Sequence, residues 1–367
     1  MTAKVVTIVG ARPQFVKASV VSRELRTRAG MSECLVHTGQ HYDTRMSDVF
    51  FEELDIPLPN HSLDIGSGTH GMQTGRMLEG IEMVLQKEAP DCVLVYGDTN
   101  STLAGALAAV KLHVPVAHIE AGLRSFNRSM PEEINRVLTD HVADWLFAPT
   151  DAAVSNLRRE GISPERIRRS GDVMLDAALY YAKLAQQQSN VLQKHDLLSK
   201  SFILATVHRA ENTDDESRLR AIFTALADIG RDCEIVMPLH PRTRHALNST
   251  SWFVPSLGLK IIEPVGYLDM VMLEMHSRLV VTDSGGIQKE AYFHGVPCVT
   301  LRGETEWVEL VCAGWNTLVL PTDAVVVAAA LRMALGREHS DIRAQLYGDG
   351  SAARGIVDDL TQLLGAR

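Results

Sequence analysis

Hydrophobic and polar positions change period repeatedly along the 367-residue chain. Short β-branched runs bounded by Gly, Pro or Asp alternate with longer stretches whose apolar residues recur at helical spacing. In the first half, Lys4–Val9, Glu33–His37, Cys92–Tyr96, Val114–Ile119 and Trp145–Ala148 predict strands. Between them, Pro13–Arg28, Met72–Lys87, Leu103–Leu112 and Glu132–Ala143 predict helices. Strand runs this apolar are buried on both faces, as in a parallel sheet covered by helices. The second half repeats the theme. Strands are predicted at Phe202–Thr206, Cys233–Met237, Lys260–Ile262, Leu279–Thr282 and Cys298–Leu301, and helices at Ser217–Ile229, Leu268–Met275, Ile287–His294 and Ala324–Leu335. Two successive βαβα series predict an α/β protein of two Rossmann-like, doubly wound domains.

Strand signals vanish in the polar, Gln-rich stretch Ala185–Ser201. The join is placed there, giving an N-terminal domain at 1–185 and a C-terminal domain at 186–350. The remaining 351–367 holds an amphipathic helix, Ala352–Leu364, predicted to cross back onto the first domain. Open α/β sheets bind ligands at the carboxyl ends of their strands, so an interdomain cleft is the expected site. Polar residues that immediately follow strands are therefore the candidates.

Composition narrows the partners. Lys and Arg total 36 against 45 Asp and Glu, a net charge of −9 with a pI near 5.9. An acidic balance argues against nucleic acid or an anionic membrane as partner, since both want a basic surface. An anionic ligand must then be held by a local concentration of cations. No apolar run approaches the roughly 18 residues of a transmembrane helix, and the N-terminus lacks a signal-peptide layout. Five widely spaced cysteines (Cys34, Cys92, Cys233, Cys298 and Cys312) include no C-x-x-C pair, so neither a disulfide framework nor a zinc site is expected. A cytoplasmic protein is expected.

The first strand ends in Gly10-Ala11-Arg12-Pro13, with Lys17 one turn further on. This is either a capped surface helix or an anion site made of fixed positive charge and free N–H groups. Asp98, in Gly97-Asp98-Thr99-Asn100, reads either as an N-cap or as a functional carboxylate. Glu120 follows the next strand where no helix begins at once. Glu132 and Glu133 open a helix, where the macrodipole alone favours acidic residues. Three acidic positions after neighbouring strands, Asp98, Glu120 and Glu132, suggest acid–base work.

In the second half, strands end in Val207-His208-Arg209, in Leu239-His240-Pro241 and in Asp283-Ser284-Gly285-Gly286. The Ser-Gly-Gly turn at a helix start offers close backbone approach and N–H donors to phosphate. Glu290, about one turn in, is placed for a ribose diol, and the loop around Val265 and Tyr267 for a base. The second domain reads as a nucleotide-diphosphate holder. Two matches are decoys. Residues 66–71 fit G-x-G-x-x-G but lack the strand-turn-helix context for NAD, and His37 and His41 are separated by Gly39, which disfavours a metal-binding helix.

These residues resemble the non-hydrolysing UDP-N-acetylglucosamine 2-epimerases. The matching pieces are GARPQFVKA, TGQHYD, YGDTNSTLAG, HIEAGLRS, PEEINR, TVHRAEN and TDSGGIQKEA, in the family's order and over nearly the whole chain. The resemblance implies a GT-B-like fold, a cytoplasmic homodimer, a UDP-sugar as partner, and chemistry that needs no NAD, metal or other cofactor. It implies interconversion of UDP-GlcNAc and UDP-ManNAc. By the same resemblance Arg12, Lys17, Asp98, Glu120, Glu132 and His208 match active-site positions. Arg209, His240, Val265, Tyr267, Ser284, Gly285, Gly286, Glu290 and Arg302 fall to the substrate and its UDP. Gln40 and His41 lie where some bacterial members bind a second, activating substrate molecule. The variants GARPQF, FNRSMPEEINR and LRGETEWVELV resemble the branch acting on UDP-2,3-diacetamido-2,3-dideoxyglucuronic acid, a sugar of surface polysaccharides. A uronate would want a cation, and Arg124, Arg128 and Arg302 are available. A GT-B glycosyltransferase is a remote alternative.

Overall fold

The structure, a computed structural model, describes residues 2–40, 56, 58–252, 258–339 and 344–365. The chain divides into two units, Met1–Ala177 with Gln345–Arg367, and Ala178–Ala344. Each is built on one parallel sheet.

Among the described residues the two units have seven and six strands, and those of the first are β1 (Ala3–Val9), β2 (Met31–His37), β3 (His61–Ser62), β4 (Cys92–Tyr96), β5 (Val116–Ile119), β6 (Trp145–Ala148) and β7 (Ile167–Arg169). They lie in the order β3-β2-β1-β4-β5-β6-β7. The second has six: β8 (Phe202–Thr206), β9 (Glu234–Pro238), β10 (Leu259–Ile262), β11 (Leu279–Thr282), β12 (Cys298–Thr300) and β13 (Asn316–Leu318), ordered β10-β9-β8-β11-β12-β13. In both sheets the order reverses beside the first strand, between β1 and β4 and between β8 and β11. Doubly wound sheets bind ligands at the carboxyl ends of such strand pairs.

Each apolar run read from the sequence is a strand, because β-branched residues buried on both faces fit a helix-covered parallel sheet. The strands not foreseen are β3, β7 and β13, edge strands of two or three residues that carry no apolar run. In the second unit, Ile203, Ala205, Ile235, Met237, Val281 and Val299 form one core with Leu219, Ile222 and Leu226 of helix Glu216–Ile229.

The division between units falls inside helix Val173–Gln188 rather than in the polar stretch 185–201. That stretch begins as the polar end of this helix, which is why strand periodicity stops there. The last helix, Ala352–Gly365, belongs to the first unit. Its first turn donates the N–H groups of Ala352 and Ala353 to Asp176 at 3.2 and 2.7 Å, and Asp358 pairs with Arg28. Ile356, Val357 and Leu360 bury its apolar stripe.

Candidate functional site

At the first switch point, β1 ends in Gly10 and helix Arg12–Thr27 follows. A Cβ on Gly10 would stand 2.0 Å from Thr38 Oγ1 and 2.2 Å from Ser101 Oγ, so only glycine fits. Buried Gln14 does the capping: its Oε1 accepts the N–H groups of Gly10 (2.8 Å) and Ala11 (3.1 Å), and its Nε2 donates to Tyr96 O (2.8 Å). One amide thus ties the end of β1 to the end of β4. Gln40 Oε1 accepts from Ser101 N (3.0 Å) and Oγ (2.7 Å), which binds the end of β2 to the same place. The Arg12 side chain and His41 lie outside the described residues.

Gly97 follows β4 at φ +63, a left-handed conformation. A Cβ there would come within 3.1 Å of Glu120 Oε2 and 3.2 Å of Lys17 Nζ, which are paired with each other. Glu120 itself adopts φ +72. A non-glycine residue in that region costs about 1–2 kcal/mol. Asp98 does not cap the next helix. Thr99 does, accepting from Thr102 N, while the Asp98 carboxylate takes Arg136 Nη2 at 2.6 Å and Nε at 3.0 Å. Arg136 also gives Nη1 to Glu133 at 2.7 Å. Burial would raise the pKa of Glu133. The Ser125 and Phe126 N–H groups and Arg136 outweigh it and hold the carboxyl below its ordinary value. Glu132, beside it in the first turn of helix Pro131–Val142, is exposed.

A buried network supports both turns. His118, in β5, has Nδ1 2.7 Å from Asp140 Oδ1 and Nε2 2.7 Å from Gly97 O. Both partners are acceptors, so the ring is held between a carboxylate and a carbonyl. Asp140 also receives Gly122 N (3.0 Å) and Arg124 Nη1 (2.7 Å), and Arg124 reaches Glu160 through Nε and Nη2, each at 2.7 Å. Burial opposes ionisation of Asp140, but His118 and Arg124 win and depress its pKa. His118 therefore fixes the carbonyl of Gly97, and Asp140 fixes the turn that carries Glu120.

At the second switch point, Asp283 is fully buried after β11. Its carboxylate accepts the N–H groups of His208 (3.0 Å) and Arg209 (3.0 Å) and Asn212 Nδ2 (3.1 Å), with His208 Nδ1 at 3.2 Å. Burial works against the charge, but His208 and these donors keep the carboxyl below its usual range. The His208 ring lies 5.5 Å from that of exposed His240, which caps helix Pro241–Asn248. Ser284 is the N-cap of helix Gly285–Phe293 and contributes no side-chain cap, so the first-turn N–H groups are open to an acceptor. Gly285 packs against Glu306, whose Oε1 a Cβ would approach to 3.0 Å. Arg302, buried at 3% exposure, gives Nη1 to Glu306 at 3.2 Å. Glu290 accepts the Tyr267 hydroxyl at 3.2 Å, and Val265 is half-buried on the loop before Tyr267. Behind them, burial and the Glu290 charge push Glu274 well above the carboxylate range.

Lys17, Asp98 and Glu120 are thus brought to one switch point, and His208, Arg209 and Ser284–Gly286 to the other. Sequence reasoning missed Arg136, Asp140 and Asp283, which act through other residues. A charged residue on the buried face of an amphipathic helix, or directly after a strand, was the available signal, but its partner is distant in sequence.

Fold and switch points define a GT-B-like protein of two Rossmann-like units. The chain belongs to the UDP-N-acetylglucosamine 2-epimerase family, whose model matches residues 23–361. It is 54% identical to the UDP-2,3-diacetamido-2,3-dideoxy-D-glucuronate 2-epimerase of Pseudomonas aeruginosa, over 98% of this chain and all of that protein. It is 45% identical to the UDP-N-acetylglucosamine 2-epimerase of Methanocaldococcus jannaschii, over 98% of this chain and 99% of that one. The crystal structure of the M. jannaschii enzyme with UDP-GlcNAc and UDP superposes with a TM-score of 0.88 at 44% identity, covering 99% of this chain and all of the other. Among the described residues no helix is long and apolar enough to cross a membrane.

Proposed function

We propose that this protein inverts C2 of a UDP-linked 2-acetamido sugar, interconverting UDP-GlcNAc and UDP-ManNAc. The observation that carries the reading is the first switch point, where Glu120 and Asp98, each paired with a cation, flank Gly97. C2–H has no adjacent carbonyl, so a carboxylate cannot remove it directly. UDP departs first with the electron pair of the C1–O bond, C1 becomes oxocarbenium-like, and the C2 proton then passes to a carboxylate. The product is a 2-acetamidoglucal. A proton delivered to the opposite face of C2 and re-addition of the UDP oxygen to C1 complete the inversion.

Asp98 and Glu132 serve the first half-reaction and Glu120 the second, each group supplying roughly 10²–10⁴ in rate. Arg12, His208 and the Ser284–Gly286 helix start stabilise the departing diphosphate, a contact of this kind being worth roughly 10²–10³, while Lys17 holds Glu120. Arg209, His240 and Arg302 join them around the nucleotide, Glu290 takes the ribose diol, and the Val265–Tyr267 loop takes the base. Gln40 and His41 belong to an activating subsite. The chain acts as a cytoplasmic homodimer feeding polysaccharide synthesis, a reading supported by the family resemblance.

The 54% identity to the P. aeruginosa enzyme favours a second reading, the diacetamido-uronate as substrate. Of the three arginines considered for its carboxylate, Arg124 is engaged by Asp140 and Glu160 and Arg302 by Glu306. Exposed Arg128 remains. Proton NMR of the protein with each sugar nucleotide in D₂O tests both readings. The 2-epimer should appear carrying deuterium at C2, from whichever sugar is the substrate. Retention of the substrate's own hydrogen at C2, or release of the free sugar, would sink the scheme.

A further inference from the structure

Away from both switch points, Cys34, His61 and Glu88 bring a thiol, an imidazole and a carboxylate together at the β2–β3 edge of the first sheet. One donor atom from each lies within 4.8 Å of the other two, the one such group of three among the described residues. The register explains the meeting. His61 pairs with Val36, two residues beyond Cys34, so both side chains leave the same face of the sheet. Lys4, paired with Ser32, shares that face, and Glu88 reaches it as the last residue of helix His70–Glu88.

Cys34 is buried, while His61 and Glu88 are half-buried at the sheet edge. The Cys34 residue is 6% exposed, and its thiol makes no hydrogen bond among the described residues. Lys4 Nζ holds Glu88 by Oε2 at 3.1 Å and by its carbonyl at 3.0 Å. That leaves Oε1 turned toward His61 Nε2, 2.9 Å away. Zinc bonds of about 2.0–2.3 Å put tetrahedral ligand atoms roughly 3.3–3.7 Å apart, so these three donors reach a zinc shell with side-chain adjustments of about 1 Å. Thiolate and carboxylate supply two negative charges against Zn²⁺, and the soft sulfur disfavours Mg²⁺ and Ca²⁺.

We propose that Cys34, His61 and Glu88 form a zinc site that clips the two-residue strand β3 to β2 and to the end of helix His70–Glu88. On uptake the zinc–sulfur bond forms as the thiol proton passes to solvent. The Nε2 proton that His61 gives to Glu88 moves through solvent to Nδ1, so that Nε2 and Oε1 form two metal bonds in place of their hydrogen bond, and a water takes the fourth position. The role is structural: the ion fastens an edge strand too short to hold itself by pairing. No local spacing announces the site, since its ligands lie on three separate elements.

Full-length protein stripped of metal is titrated with Co²⁺ as the spectroscopic probe and then with Zn²⁺. One Co²⁺ per chain should produce a near-ultraviolet thiolate-to-cobalt band and the strong visible bands of four-coordinate cobalt, both erased by one equivalent of Zn²⁺. Zn²⁺ should also raise the midpoint of thermal unfolding, as any ligand of the folded state does. C34S should abolish the thiolate band and weaken Zn²⁺ binding more than about 100-fold, beyond the roughly 10–100-fold typical of losing an outer hydrogen-bond partner. H61Q, on the half-buried edge strand, should keep the thiolate band but shift it to at least about tenfold higher metal. A wild-type protein without the thiolate band, or equal Zn²⁺ affinity in wild type and H61Q, overturns the proposal even if C34S fails to fold. Sugar-nucleotide turnover plays no part in the readout, so this outcome is independent of the proposed reaction.

Discussion

Replacing Arg124 by methionine removes the one side chain that joins Asp140 to Glu160. Methionine retains most of the apolar stem, so the loss is chiefly that of the charged contacts. Two carboxylates lose a partner, but unequally. The Asp140 side chain is wholly buried, whereas that of Glu160 is 26% exposed and can be rehydrated. Breaking a buried pair from one side costs about 3–5 kcal/mol, because the remaining charge is left without compensation. E160Q leaves the buried guanidinium with Asp140 and the glutamine amide oxygen as acceptors, so its cost is smaller. Asp140 keeps the His118 ring and the Gly122 N–H, which places R124M at the lower end, about 3 kcal/mol, and E160Q at about 1 kcal/mol or less. Hydrogen exchange by mass spectrometry over residues 116–123 of the full chain reads the local opening. R124M should accelerate exchange roughly 100-fold and E160Q less than about tenfold, since 1.4 kcal/mol corresponds to a factor of ten. An E160Q effect as large as that of R124M would refute the reasoning that burial of Asp140 sets the magnitude.

Two further predictions separate effects that look alike in the sequence. Gly97 and Gly161 both sit at positive φ, +63 and +82, but a Cβ on Gly97 meets Glu120 and Lys17 while one on Gly161 meets nothing within 4 Å. G97A and G161A should each cost about 1–2 kcal/mol in chemical denaturation. Only G97A should also lower kcat, and equal turnover in the two variants would remove Gly97 from the site. Burial, with the charges of Asp172 and Asp349, pushes Asp176 up to about 6 from its ordinary 3.8, against the pull of the Ala353 and Ala352 N–H groups. The fold thus favours the protonated form. Its contribution is full below the unfolded pKa and is lost as pH rises through about 6, amounting to about 3 kcal/mol at about 1.4 kcal/mol per pH unit. The stability of D176N relative to wild type should therefore improve by about that amount between pH 4 and 7, as read from denaturation midpoints, and a flat difference would contradict the assignment.

Much of the fold was legible because buried parallel strands write themselves as short apolar runs. The edge strands β3, β7 and β13 escaped because two or three half-exposed residues leave no period to detect. The polar stretch after residue 185 suggested a linker for a similar reason: the exposed end of helix Val173–Gln188 is as hydrophilic as a loop. Position after a strand placed Asp98, Glu120 and His208 at the carboxyl edges of the two sheets, since chain connectivity delivers such residues there.

What the sequence determined by itself was the alternation of strand and helix, the two-part organisation, the family motifs and the residues delivered to each sheet's edge, all local or periodic properties. Partnership between distant residues came from packing alone. Asp98 could have capped a helix until Arg136, 38 residues away, was seen to hold it. Asp140 lay within a predicted helix, and Asp283 in a turn after a strand, with nothing local to show that the first meets His118 and Arg124 and the second the backbone of His208. Cys34, His61 and Glu88 share no spacing at all. Long-range pairs of this kind are fixed by strand order and register, which bring distant residues to one face, and no local pattern encodes that proximity.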